Sequence, residues 1–164
     1  MDAQAVQDKL EIHELLARYA RGVDTKDWDG LRAVFSADAS FDYSAAHRVR
    51  NPWTGAWNPP LSEKPRMAVG RDEVVALIRG AVERLHTTHH GHMPEISVLT
   101  ATTAAGIWAM NDSLRDAEHR QILEGSGHYH DTYIKLPPGW AIASCRLTRL
   151  SLRLANHNGE LHYR

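Results

Sequence analysis

Residues 71–99, RDEVVALIRGAVERLHTTHHGHMPEISVL, contain the change of period that decides the fold. Up to Leu85 the apolar residues Val74, Val75, Leu77, Ile78, Ala81, Val82 and Leu85 recur at three- and four-residue steps, which predicts a helix with a broad apolar face after Gly70. Beyond Thr87 that spacing is lost. Strand-like segments follow over 88–99, 104–114, 120–135 and 140–154, punctuated by Thr102-Thr103 and Pro137-Pro138-Gly139. Long strands joined by short turns predict a strongly curved, mostly antiparallel meander.

Upstream of this stretch the chain reads helical. Val6, Leu10, Ile12, Leu15, Leu16, Tyr19 and Val23 predict a first amphipathic helix ending at Gly22. Asp24 and Thr25 fit the start of a second, short helix carrying Trp28, Leu31, Val34 and Phe35, and 39–43 reads as a short strand. Three N-terminal helices ahead of a curved sheet make an α+β domain, with the helices across the concave face and a pocket between the layers. Residues 44–66 carry Pro52, Pro59, Pro60, Pro65, Trp53 and Trp57, and read as an irregular loop or lid. Two tryptophans argue against simple disorder there. With no internal repeat and no linker, residues 1–164 form one domain.

Composition narrows the function classes. Against 20 acidic residues stand 19 Lys and Arg, for a net charge of −1, which removes the electrostatic case for nucleic acid or an anionic membrane. No apolar run approaches the ~20 residues that span a bilayer. MDAQAVQDKLEI is acidic and amphipathic, unlike a signal peptide, so a cytoplasmic protein is expected. The single cysteine, Cys145, excludes an intramolecular disulfide and a Cys-rich metal site. Nucleotide and hydrolase signatures such as GxGxxG, a P-loop, GxSxG and HExxH are absent. The unusual feature is 11 histidines.

Several clusters carry chemistry-bearing residues. Asp24 lies where two apolar helices meet, either as an N-cap or as a partly buried carboxylate; Tyr19 lies on the apolar face one turn before it. TTHHGHMPEI places three histidines at a strand start, with His90 and His92 on one face and His89 on the other. His90, His92 and Glu95 have the spacing of a metal site for Zn, Fe or Mn, whereas a single imidazole there suits proton transfer. A metal site lacks a second His motif, and none is expected. Asn111 and Asp112 interrupt an apolar strand. GHYHDTY contributes His130, and Arg149 lies on the last long strand, where an arginine is ordinarily solvated.

The segments EIHELLARYARGVDTKDWDGL, FSADASFDY, GRDEVVALI, TTHHGHMPEI, GSGHYHDTY and GWAIASCRLTRL, in that order, resemble the SnoaL-like branch of the nuclear transport factor 2-like superfamily over nearly the whole chain. The resemblance implies a cone-shaped α+β barrel with a deep apolar pocket, and a homodimer or homotrimer. Enzymes of this group are cofactor-free lyases, dehydratases among them, that use a histidine as acid or base. An Asp before their second helix is matched by Asp24, the histidine after a Thr pair by His89, and a pocket tyrosine by Tyr19; Asp112 matches an Asp on the following strand. The long 44–66 loop departs from the pattern.

The expected function is therefore dehydratase-type elimination, without cofactor, on a small hydrophobic cyclic substrate. His89 is the base, Asp24 its partner, and Tyr19 and Asp112 polarise a carbonyl or protonate the leaving group. Trp28, His90, Trp108, His130 and Arg149 are expected to bind substrate, with Trp28, Phe35, Val98, Ile107 and Trp108 as apolar walls. A double-bond isomerase and a non-catalytic ligand-binding or assembly module are the alternatives. A single bulge would exchange the facing of His89 and His90.

Overall fold

Helix α1 (Ala3–Thr25) starts at Asp2, whose carboxylate accepts the Gln4 N–H, and ends at Lys26, which adopts a left-handed conformation with φ 62°. A computed structural model of the protein describes residues 2–59, 66–156 and 160–163. Gly22 does not end α1; it is buried inside the helix where α2 (Trp28–Ala33) crosses. Nor does Asp24 cap α2, since Asp27 does, accepting the Gly30 N–H at 2.9 Å. Phe35, expected in the second helix, begins strand β1 (Phe35–Asp42) instead. Helix α3 (Arg71–Val82) matches its predicted period but stops short of Leu85.

Strands β2 (Met67–Val69), β3 (His86–Val98), β4 (Thr103–Arg115), β5 (Gln121–Leu136), β6 (Gly139–Ala155) and β7 (Leu161–Tyr163) complete the described elements. They form one curved sheet in the order β2-β1-β6-β5-β4-β3, with β7 on the free part of β6. β3 to β6 run as the expected antiparallel meander; β1 joins β6 in parallel. The short strands β2 and β7 were not legible in the sequence. Three helices cover the concave face, so the α+β expectation and the curved, mostly antiparallel sheet both hold.

The core lies between α1 and the sheet. Ile12, Leu15, Leu16, Tyr19 and Val23 on one stripe of α1 meet Trp108, Met110, Tyr129, Tyr133 and Ile142 from the strands. Contact is close at Gly91, where an added Cβ would fall 2.4 Å from a Leu16 methyl. Asp8, buried on the same helix, accepts from Lys135 Nζ at 2.6 Å, Trp140 Nε1 at 3.1 Å and Gln4 Nε2 at 3.1 Å, and so ties α1 to the β5–β6 hairpin.

Residues 44–59 are more ordered than an irregular loop. The Asn51 carboxamide accepts from the N–H groups of Trp53 and Thr54, Val49 bridges to Arg149 and Arg50 to Trp57. Trp53 is almost fully exposed. Pro60 and Pro65 of the predicted loop lie outside the described residues.

Candidate functional site

Side-chain parity along the strands decides what reaches the concave face. On β3, Thr87 and His89 point inward and His90 outward. The β-bulge that breaks register lies between His92 and Glu95, with Met93 at φ 44°. It falls beyond the histidine pair and leaves their facing unchanged. It also separates His92 from Glu95, and among the described residues His90, His92 and Glu95 do not gather into a ligand set. On β4 the inward residues include Met110 and Asp112, while Asn111 faces outward and its Oδ1 accepts from His92 Nε2 at 3.0 Å. On β6 an extra residue near Ala143 shifts the parity, so that Cys145, Leu147 and Arg149 turn inward.

His89 and Asp24 meet through this geometry. His89 Nδ1 lies 2.7 Å from Asp24 Oδ1, and the His89 backbone N–H donates to Asp24 Oδ2 at 2.9 Å. The Thr87 hydroxyl donates to Asp24 Oδ1 at 2.9 Å. Lys26, an ammonium with donors only, reaches the Thr87 oxygen at 2.9 Å and the Val23 carbonyl at 3.1 Å. Thr87 must therefore accept from Lys26, which leaves its own proton for Asp24. Asp24 offers only lone pairs, so Nδ1 of His89 carries a proton, and in the neutral ring the free pair is on Nε2. Burial alone would raise the Asp24 carboxyl, but the hydrogen bonds from His89 and Thr87 outweigh it and hold the group below its ordinary value. Burial depresses the Lys26 ammonium, against the attraction of Asp24.

His89 lines a cavity of about 660 Å³. Leu77 and Ile78 of α3, Phe41 of β1, and Leu114, Leu123 and Leu147 of the sheet supply its apolar surface. Tyr19 and Tyr129 add two phenols, their rings edge to face at 5.9 Å. Burial pushes both hydroxyls well above the usual phenol range, so they remain protonated donors. Asp112 and Arg149 form a buried bidentate pair at 2.7 and 2.6 Å, and Arg149 Nε also donates to the Ala46 carbonyl at 3.0 Å. The pair lies over Gly125, where an added Cβ would come within 2.4 Å of the guanidinium.

The cavity thus gathers His89, Tyr19, Asp112 and Arg149, with Asp24 behind the imidazole. Four other expected substrate contacts lie elsewhere. His90 is exposed on the outer face by strand parity. His130 is likewise on the outer face of β5, bonded to Thr148 at 2.9 Å; burial, then Arg146 and His128, lower its pKa. Trp28 packs between α2 and α3 beneath the Arg79 guanidinium. Trp108 is buried under α1, where its indole N–H donates to Tyr133 at 2.7 Å. None of the five expected wall residues lines the cavity: Phe35 is buried behind Tyr19, and Ile107 is on the outer face. Sequence reasoning missed Tyr129, His47 and Arg66, which do line it. Parity within GHYHDTY would have singled out Tyr129 over His130. Nothing in the loop pattern signalled the other two.

Comparison with known proteins agrees with this architecture. A profile described as a SnoaL-like domain matches residues 4–146. An uncharacterized protein of Mycobacterium tuberculosis is 24% identical over 137 residues, covering 84% of this chain and 82% of its own. A protein of Gibberella zeae named a probable cyclase is 22% identical over 148 residues, covering 87% and 91%. Among solved structures, a candidate scytalone dehydratase from Novosphingobium aromaticivorans superposes with a TM-score of 0.74 at 20% identity, over 93% of this chain and 90% of that one. Hexachlorocyclohexane dehydrochlorinase type 3 from Novosphingobium barchaimii superposes with a TM-score of 0.69 at 15% identity, over 100% and 94%.

Proposed function

The chain belongs to the SnoaL-like domain family, and from that premise we propose that it is a cofactor-independent lyase acting on a small hydrophobic cyclic molecule. The observation that carries this reading is the commitment of His89 Nδ1 to Asp24 at 2.7 Å, which leaves Nε2 as the basic nitrogen for the cavity. A ligand-binding or assembly module needs no such pair. The names of the dehydratase and dehydrochlorinase neighbours point the same way.

In this mechanism Nε2 removes a proton from a carbon next to a carbonyl. Charge moves onto the carbonyl oxygen, where Tyr19 and Tyr129 donate as neutral phenols held near the reacting centre. The carbonyl re-forms as the new double bond appears and the β-substituent leaves with its electron pair. A departing hydroxyl takes the proton back from the imidazolium and is released as water. Asp24 stabilises that imidazolium without accepting its proton. Asp112, with both oxygens engaged by Arg149, serves to fix the guanidinium rather than to deliver a proton, which revises its expected role.

The test is a screen of cyclic ketones bearing a β-hydroxyl or β-halogen, run in D2O and read by mass spectrometry. Loss of water or hydrogen halide is expected, and deuterium at the α carbon of recovered substrate would report reversible proton removal by the same base. His89→Ala, with circular dichroism and melting temperature retained, should lower the rate by roughly 10²–10⁴. A fully active variant removes His89 from the mechanism. Deuterium uptake and a moved double bond without elimination would identify an isomerase using the same base.

A further inference from the structure

Among the described residues the charges around the cavity do not balance. The one lining carboxylate among them, Asp112, is taken up bidentately by Arg149, and Asp24 is turned away behind His89. Arg66 also lines the cavity, and among the described residues no carboxylate lies within ion-pair distance of its guanidinium. Among the described residues, the neighbours of that guanidinium are a phenol ring and an imidazole. It lies over the Tyr43 ring, 5.7 Å from the centroid, and its Nη1 is 3.5 Å from His47 Nδ1. The Tyr43 ring is itself stacked on Phe41 at 5.9 Å. The Arg66 backbone is pinned on both sides, its N–H by the Ser44 hydroxyl at 3.1 Å and its carbonyl by the Tyr43 N–H at 2.9 Å. This cation is held in place and half-buried, yet among the described residues it has no carboxylate partner.

We propose that Arg66 is the carboxylate-binding subsite of this cavity, and that the ligand is a hydrophobic ring system bearing one carboxylate. The proposal deepens the lyase reading by naming the substrate class, and it rests on that reading only for the chemistry, not for the binding. A planar guanidinium presents paired N–H donors that match a carboxylate, and a partly desolvated site strengthens the contact. Leu77, Ile78, Leu114, Leu123 and Leu147 accommodate the apolar body. The volume of about 660 Å³ lies within the range of small-molecule sites. A carboxylate gripped by Arg66 is a handle outside the reacting atoms, and its binding energy orients the ring against Nε2 of His89.

The test uses a matched pair of probes, 1-naphthaleneacetate and its neutral isostere 1-naphthaleneacetamide, titrated by calorimetry into the full-length protein. The wild type should bind the acid roughly ten- to a hundred-fold more tightly than the amide. Arg66→Gln should erase that preference while leaving the amide affinity unchanged, and Arg66→Lys should keep part of it. Equal affinities in the wild type, no measurable binding of either probe, or a preference that survives Arg66→Gln would each overturn the proposal. His89→Ala separates the two readings, because it should bind both probes as the wild type does. An inactive protein that still prefers the acid through Arg66 would refute the lyase reading alone. An active enzyme with no acid preference would refute the subsite alone.

Discussion

Replacing Asp24 by Asn tests the tautomer of the candidate base. The His89 backbone N–H needs an acceptor at the position of Oδ2, so the carboxamide oxygen must settle there. Its NH2 then faces His89 Nδ1 and donates to it, which forces the proton onto Nε2 and removes the free pair from the cavity. Asp24→Asn is expected to reduce turnover by about 10⁴ with the fold intact, and 15N chemical shifts of the imidazole should report the exchanged tautomer. The Asp112–Arg149 pair responds differently. Truncating Asp112 to Ala leaves a buried guanidinium without its counter-ion and should destabilise the protein by about 3–5 kcal/mol in urea unfolding. Arg66, by contrast, has no carboxylate partner among the described residues, and its substitution is expected to be read in ligand binding rather than in folding.

At the scale of elements, one buried carboxylate and one glycine add to the apolar stripe that holds α1 against the sheet. Asp8 binds Lys135 and Trp140 across the β5–β6 hairpin, and the Lys135 hydrogen bond in particular holds its carboxyl below the ordinary value despite burial. A depressed carboxyl contributes stability above its unfolded pKa and loses it as pH falls through the folded one. Asp8→Ala should therefore destabilise by about 1–3 kcal/mol at neutral pH, and the gap from wild type should narrow below about pH 4. A gap that stays constant with pH would assign the effect to packing instead. Gly91 has the complementary role: with hydrogen at that position Leu16 of α1 lies directly on β3, where a Cβ would push its methyl aside. This close approach brings the end of the same helix, with Asp24, onto the strand that carries His89.

For the molecule as a whole, the pH dependence of stability should be shaped by a group outside the candidate site. Asp131 is buried in the core beside Tyr133, whose hydroxyl donates to it at 2.8 Å. Burial pushes its carboxyl up from 3.8 to about 6, against the opposing pull of Cys145 and Tyr133. The folded state therefore binds this proton more tightly than the unfolded chain, and stability falls as pH rises from about 4 through about 6. Asp131→Asn should remove that slope. It should match the wild type near pH 4 and exceed it above pH 6 by about 3 kcal/mol, as measured by urea unfolding across the range. Equal slopes in the two proteins would move the ionisation elsewhere. No described helix is long and apolar enough to cross a membrane.

Periodicity is a local property, and it carried what is local. The α1 and α3 stripes, the switch to strands near Thr87 and the long meander were legible because a residue's neighbours three, four or two positions away dictate which face it buries. The Asp24 to His89 pairing was legible only through resemblance, since a separation of 65 positions leaves no local trace of the contact. Bulges escaped the sequence. The one after His92, which holds Pro94, spares His89, whereas the one near Ala143 has no distinctive residue and turns Arg149 from an expected solvent face into the cavity. Parity misled at His130 because the eye goes to the titratable residue rather than to its inward neighbours Tyr129 and Asp131. The amino-acid order by itself determined the elements and the concave face they share. Which polar side chains meet inside that concavity was decided by strand register and by the packing of α1 and the 44–59 segment over it, because such contacts join residues whose separation in the chain exceeds any local period.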